Sequence, residues 1–377
     1  MPIAIRWLTR PITRYVQEIA NLLPLLIWLS LFLLLGAVLG MIYQRLGVER
    51  DLKLYPPPGT LIHLGTHRLH LFDVGKPESN SQPTILLEAG LMSTVLSWNE
   101  VREELAKSYR VVSYDRAGLG WSDAGPNPRT IDRLVNELNT LLEQAAIPGP
   151  FVLVGHSFGG LTMPLFAARY PESTVGVILV DPVAPSEWNP PGEQDRKRVE
   201  IGSKVCRRAA WLARIGVLRF IAFLLTSGAK RIADYFVRLI SRGTPQGSGN
   251  VSSPLFWNLP PQERAMTRVF WVQEKFCSTI ASQLEHLPGS ARRVADLGNF
   301  TEKPVLILSA SSIPAKRLEA HIAMANRLTH GRHILADKSS HWIMQDQTEL
   351  VVQAIREVAQ YGRERATAAE ANPSASV

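Results

Sequence analysis

The sequence predicts an α/β protein, a largely parallel sheet covered by helices and carried behind an N-terminal apolar segment. Three observations predict it. From residue 60 onward short apolar runs alternate with helical patterns, the rhythm of strand–helix–strand units. That rhythm stops after Val180 and resumes at Val305, leaving room for a large insertion. Ahead of it all, no charge occurs from Ile19 to Gln44. With 377 residues, 46% apolar and 20% charged, the chain suits one large domain with an insertion and excludes wholesale disorder or a polytopic membrane protein.

The first 21 residues form a basic segment, with Arg6, Arg10 and Arg14 at helical spacing and Glu18 as the acid. Leu22 to Tyr43 follows, 22 residues that span roughly 33 Å as a helix and so can cross a hydrocarbon core of about 30 Å. Asn21 is placed to cap this helix, and Pro24 falls in its first turn, where a missing N–H costs little. The run is longer and starts later than a signal-peptide core and lacks an A-x-A site, which favours an uncleaved, single-pass anchor. Arg45, Arg50 and Lys53 nearly balance the arginines before the span; the N-terminal amine tips the reading to a cytoplasmic N-terminus, with the large domain outside the cytoplasm. Residues 44–59, ending in Tyr55-Pro-Pro-Pro-Gly, read as a linker.

Strands are expected at Leu61–Leu64 and His67–Phe72, as an opening hairpin, then at Thr84–Leu87, Arg110–Tyr114, Phe151–Val154, Val175–Val180, Val305–Leu308 and Arg332–Leu335. Helical patterns lie near Trp98–Lys107, Ile131–Ala146, Phe158–Arg169, Ala315–Leu328 and Glu349–Tyr361. These divide the chain into a catalytic domain of residues 60–185 and 299–362, an inserted helical cap of 186–298, and an Ala/Glu/Ser-rich tail of 363–377 expected to be disordered. His63, His67 and His70 alternate on the hairpin and read as surface strand residues rather than a zinc pair.

The net charge of +8 is local: Ser186–Phe300 holds 17 basic and nine acidic residues, and the rest of the chain is balanced. This argues against a nucleic-acid footprint. Within Ile201–Arg242, basic residues interleave with Trp211, Phe220, Phe223 and other apolar side chains, a pattern suited to anionic lipid headgroups or, equally, to a cap packing its apolar face inward. Two cysteines, Cys206 and Cys277, exclude a disulfide framework or zinc cluster and leave one optional pairing open. No metal or cofactor is implied.

Phe151-Val-Leu-Val-Gly-His-Ser-Phe-Gly-Gly carries the chemistry. A buried strand runs into Gly155-His156-Ser157-Phe158-Gly159 and a helix follows; G-x-S-x-G in that setting is a nucleophile elbow that presents the Ser157 hydroxyl at a sharp turn. A serine nucleophile needs a base, and His341, in the loop between the last strand and the last helix, is the candidate. With Glu88-Ala-Gly-Leu…Trp98, Tyr114-Asp-Arg-Ala-Gly-Leu-Gly-Trp-Ser122, Leu179-Val-Asp-Pro182 and Ser340-His-Trp, the stretch from Thr60 to Tyr361 resembles the α/β-hydrolase superfamily, in its capped serine esterase or lipase-like branch.

That resemblance implies an eight-stranded, mostly parallel sheet with helices on both faces and a helical cap inserted after strand six. It also implies the order Ser, acid, His along the chain. The oxyanion hole would use the backbone N–H groups of Phe158 and Leu91. The usual acid position after the seventh strand is empty of carboxylates here; the resemblance offers Asp181 at the end of strand six, with Glu319, Asp337 or no acid at all as alternatives. Asp115 and Arg116 fall in what is, in that family, mainly a structural turn. Relatives that act on epoxides or haloalkanes use an aspartate nucleophile, so Ser157 points to acyl transfer, with a small, apolar ester as substrate and the bilayer as the partner of residues 22–43. An aminopeptidase or amidase of the same fold would want an acidic cap, and this one is basic; a degenerate, tethered binding protein is the remaining alternative.

Overall fold

The computed structural model describes residues 12–79, 82–226 and 261–371. The expectations placed on Arg6 and Arg10, on residues 227–260 of the cap and on 372–377 of the tail lie outside the described residues.

Eight strands form one sheet in the order β1-β2-β4-β3-β5-β6-β7-β8. They are β1 (Thr60–His63), β2 (Arg68–Val74), β3 (Thr84–Glu88), β4 (Val111–Asp115), β5 (Phe151–His156), β6 (Thr174–Val180), β7 (Val305–Ala310) and β8 (Gly331–Ala336). β1 and β2 are an antiparallel hairpin, β2 also runs antiparallel to β4, and the rest are parallel. β3 to β7 are buried along their full length, which is why they read as continuous apolar runs rather than alternating ones.

Helices cover both faces: α1 (Ile12–Leu54), α2 (Asn99–Leu105), α3 (Ile131–Gln144), α4 (Gly159–Arg169), α5 (Glu193–Arg214), α6 (Val217–Thr226), α7 (Pro261–Trp271), α8 (Glu274–Glu285), α9 (Leu287–Ala295), α10 (Ala315–Asn326), α11 (Ile343–Asp346) and α12 (Thr348–Ala371). On one face α3 and α4 bury Leu134, Leu138, Leu141, Leu161 and Leu165; on the other α2 and α12 bury Val101, Leu105, Val351, Ile355 and Val358. α5 to α9 all fall between β6 and β7, and α5 packs along α8. Cys206 and Cys277 are both free, and burial raises their thiols to about 11 and about 12, so neither is a thiolate at neutral pH.

Four expectations need correction. α1 starts by Ile12, so Asn21 and Pro24 sit inside a helix instead of at its start. α1 also continues to Leu54, so most of residues 44–59 is helix, because Gln44 to Leu54 has a protein surface to pack on. α12 extends to Ala371, well into the segment expected to be disordered; its Ala- and Glu-rich composition is a good helix former. His67, in the hairpin turn beside Glu137 of α3, and His70, on β2, are buried; His70 Nδ1 pairs with Asp115 at 2.9 Å, and of the three only His63 is exposed.

α1 has two halves. From Leu22 to Leu35 its apolar side chains point away from the protein, and among the described residues it is the helix long and apolar enough to cross a membrane. From Gly40 onward it docks. A Cβ on Gly40 would lie 2.2 Å from the Ile215 carbonyl oxygen, and one on Gly216 (φ 76°) would lie 2.6 Å from the Gly40 oxygen, so glycine on both sides allows backbone-to-backbone contact. Gln44 donates to the Val272 carbonyl (3.0 Å) and accepts from Arg219 Nε (2.9 Å), while Arg219 Nη1 bonds Asp51 (2.5 Å) in a largely buried pair. Beyond the helix, Trp121 Nε1 donates to the Tyr55 carbonyl (2.9 Å) and His70 Nε2 to that of Pro58, so the proline segment is pinned.

Overpacking a tight contact costs about 1–3 kcal/mol, enough to speed local opening roughly tenfold. Gly40→Leu is therefore expected to accelerate tryptic cleavage after the exposed Arg45, Arg50 and Lys53 in detergent-solubilised protein. Gly36→Leu, where nothing lies within 4 Å of the added carbon, should cleave at the wild-type rate.

Candidate active site

Strand register sets the geometry. His156 is paired with Val180 at the C-terminal ends of β5 and β6, so the next residue on each strand, Ser157 and Asp181, sits at the same edge of the sheet. Both adopt left-handed conformations, with φ of 52° and 42°; in non-glycine residues these cost about 1–3 kcal/mol each. The hydrogen bonds that hold them run between the two turns: Ser157 N–H to the Val180 carbonyl (3.0 Å), Val183 N–H to the Ser157 carbonyl (2.9 Å), and Asp181 N–H to the Leu308 carbonyl on β7 (2.7 Å).

The glycines around Ser157 make room for α4. A Cβ on Gly155 would lie 2.5 Å from the Gly159 carbonyl oxygen, one on Gly159 would lie 2.8 Å from Glu88 Cγ, and one on Gly160 would lie 2.4 Å from Pro182 Cβ. The N-terminus of α4 is thereby pressed onto the ends of β3 and β6, with the Phe158 N–H in its first turn.

His341 follows β8 and donates from Nδ1 to Asp181 Oδ2 at 2.5 Å; the acid is buried and the imidazole half-exposed. A carboxylate can only accept, so Nδ1 carries the proton and Nε2 is left as the basic nitrogen. The other Asp181 oxygen accepts from Ala310 N–H at 3.2 Å. Glu319, on α10, and Asp337, after β8, are exposed and have no contact with this ring among the described residues.

His156, beside the nucleophile, has a role the sequence did not disclose. Its buried ring donates from Nε2 to the backbone carbonyl of His341 (2.9 Å) and lies 4.6 Å from the His341 ring and 4.8 Å from that of Trp342. Burial, and secondarily the neighbouring His341, push His156 well below the usual imidazole range, so it is a neutral, fixed donor at physiological pH. It ties the loop of the candidate base to the elbow of the candidate nucleophile.

The loop after β3 closes the site. A Cβ on Gly90 would lie 3.0 Å from His156 Nδ1 and 3.3 Å from Ser157 Cβ, so Gly90-Leu91 passes against the serine. Arg116 holds this loop from behind. Its guanidinium is buried, donates to Glu88 Oε1 (2.6 Å), to the carbonyls of Ala89 and Gly90 and to that of Leu91 (3.3 Å), and lies 5.3 Å from the Phe158 ring centroid. With the loop carbonyls turned to Arg116, its N–H groups are released; among the described residues the N–H groups of Leu91 and Phe158 have no protein acceptor. Burial raises the Glu88 carboxyl, and Arg116 opposes that shift. The Glu88…Asp-Arg pairing was not visible in the sequence, where Arg116 read as part of a turn. Two charges separated by a strand crossover give no local signal.

Among the described residues no group of His, Cys, Asp and Glu could hold a metal ion. Known proteins share the fold. An esterase from Thermogutta terrifontis superposes with a TM-score of 0.56 at 22% identity, covering 81% of this chain and 98% of that one. The enol-lactonase of Burkholderia xenovorans LB400 superposes with a TM-score of 0.55 at 21% identity, covering 80% and 100%. Epoxide hydrolase 1 of Caenorhabditis elegans is 23% identical over 297 residues, 78% of this chain and 68% of that protein. Other curated relatives are matched over only 18% to 49% of their own length. Residues 83–347 match the family of the alpha/beta hydrolase fold, and the chain belongs to that family.

Proposed function

We propose that the protein is a membrane-anchored serine hydrolase that cleaves a lipophilic carboxylic ester through an acyl-enzyme on Ser157. The observation that carries this reading is the 2.5 Å Asp181–His341 hydrogen bond at the sheet edge where Ser157 is held at φ 52° in the turn following β5. Ser157 Oγ attacks the ester carbonyl carbon while His341 Nε2 takes the hydroxyl proton. Asp181 stabilises the imidazolium that results. The oxyanion accepts from the N–H groups of Phe158 and Leu91. Collapse expels the alcohol, which leaves with the proton from His341. Water then attacks the acyl-enzyme with His341 again as base, and the carboxylic acid departs as Ser157 regains its proton.

Several features favour an ester over an epoxide, even with an epoxide hydrolase among the relatives. The elbow presents a serine where the family's epoxide-opening enzymes carry an aspartate, and an acyl-enzyme needs the oxyanion donors that Arg116 exposes. The lipophilic preference rests on α1 and the cap. α1 as a whole is long and apolar enough to span a bilayer, and its docked half lies against α5 and α6, where Trp211 and Phe220 are exposed between arginines. An ester partitioned into the membrane would then meet the cap first.

Three outcomes follow. Fluorophosphonate should label the detergent-solubilised protein, and Ser157→Ala should abolish the labelling; a folded wild type that stays unlabelled would sink the serine mechanism. Across an ester chain-length series, turnover should rise with acyl length and exceed that of matched amides. Arg116→Lys preserves a charge for Glu88 but cannot reach the loop carbonyls together, so acylation should slow by roughly 10–100-fold with a smaller change in KM.

A further inference from the structure

A second polar cluster lies directly behind the candidate acid. His321, on α10, is fully buried, with Nε2 2.8 Å from the Pro182 carbonyl and Nδ1 2.7 Å from the Ser309 hydroxyl. Ser309, fully buried on β7, is in turn 2.8 Å from His333 Nε2 on β8. The directions of these bonds are forced. A carbonyl accepts only, so His321 Nε2 carries the proton; in the neutral ring Nδ1 must then accept, so the Ser309 O–H donates to it; the Ser309 lone pair accepts from His333 Nε2–H.

We propose that His321 is a positioning residue for the triad acid, holding the left-handed Asp181–Pro182 turn through the Pro182 carbonyl, with Ser309 and His333 fixing it in the one tautomer that can do so. The proposal rests on Asp181 being the carboxylate that serves His341. Three successive β7 residues converge on this turn: Leu308 accepts from the Asp181 N–H, Ala310 donates to its carboxylate, and Ser309 acts through His321. A carboxylate at the end of β6 sits at a strained φ and needs such support. Burial keeps His321 neutral, outweighing the nearby carboxylates of Asp181 and Glu187, and Arg317 on the same helix acts with burial.

The test compares Asp181→Asn, His321→Leu, His321→Gln and Ser309→Ala in full-length protein. Rates are normalised to the fluorophosphonate-titrated active fraction, and the His341 Nδ1 proton is followed by low-field proton NMR. Asp181→Asn should lose kcat by roughly 10³–10⁴-fold. His321→Leu should lower kcat by roughly 10–100-fold at little changed KM and shift the low-field resonance. His321→Gln, whose amide N–H can still reach Pro182, should recover most of that loss. Ser309→Ala, which removes little volume and leaves the tautomer unfixed, should fall between, and it stands in if the Leu variant does not fold. Wild-type kcat and an unmoved resonance in both His321→Leu and Ser309→Ala, alongside a disabled Asp181→Asn, overturn the positioning role alone. An active Asp181→Asn overturns the assignment of the acid, and the positioning role with it.

Discussion

The register between β5 and β6 is the constraint on which the site depends. Because His156 pairs with Val180, the residues that leave the sheet next are neighbours, and both must turn sharply there to let α4 and the β6–α5 connection start. The strain at Ser157 and Asp181 is sustained by hydrogen bonds from one turn to the other and onto β7. A one-residue slip would move every side chain on these strands to the opposite face. Full burial on both faces makes such a slip prohibitive, so the core fixes the relative position of the two groups before any interaction within the site is counted.

Around that frame the protein places polar groups that touch no reacting atom. Arg116 faces the carbonyl side of the Gly90-Leu91 loop, His156 faces the backbone of His341, and the Ser309–His321–His333 chain backs Asp181. Arg116, His156 and His321 are buried, and each bonds a backbone carbonyl. Buried polar groups are costly when unpaired and rigid when fully paired. Using them at backbone carbonyls fixes three loops from different parts of the chain around one serine.

All eight strands were legible in the sequence; for β3 to β7 this is because burial on both faces writes a contiguous apolar run between turn residues, as in Phe151–Val154 and Val305–Leu308. The elbow was legible because Gly155, Gly159 and Gly160 answer to steric demands within six residues. Asp181 was reachable only through resemblance, since its partner lies 160 positions away. The roles of Arg116, His156 and His321 were hidden for the same reason: they bond backbone atoms of distant segments, and a backbone carbonyl has no letter in the sequence. The full extent of α1 is not written in the sequence, because local rules end an apolar helix where charge begins, at Arg45. Tertiary contacts to Arg219 and Val272 carry the helix on to Leu54.

That continuous helix bears on what release of the globular part would mean. If a protease severed the chain near residue 54, Arg219 would lose both Asp51 and Gln44, the Val272 carbonyl would lose its donor, and the glycine seam beside Ile215 would open to water. The fragment cut at that point would thus differ from the whole chain in the shape of its roof as well as in its length. α1 doubles as a structural member, and the globular part is not a body that can be cut free of it unchanged.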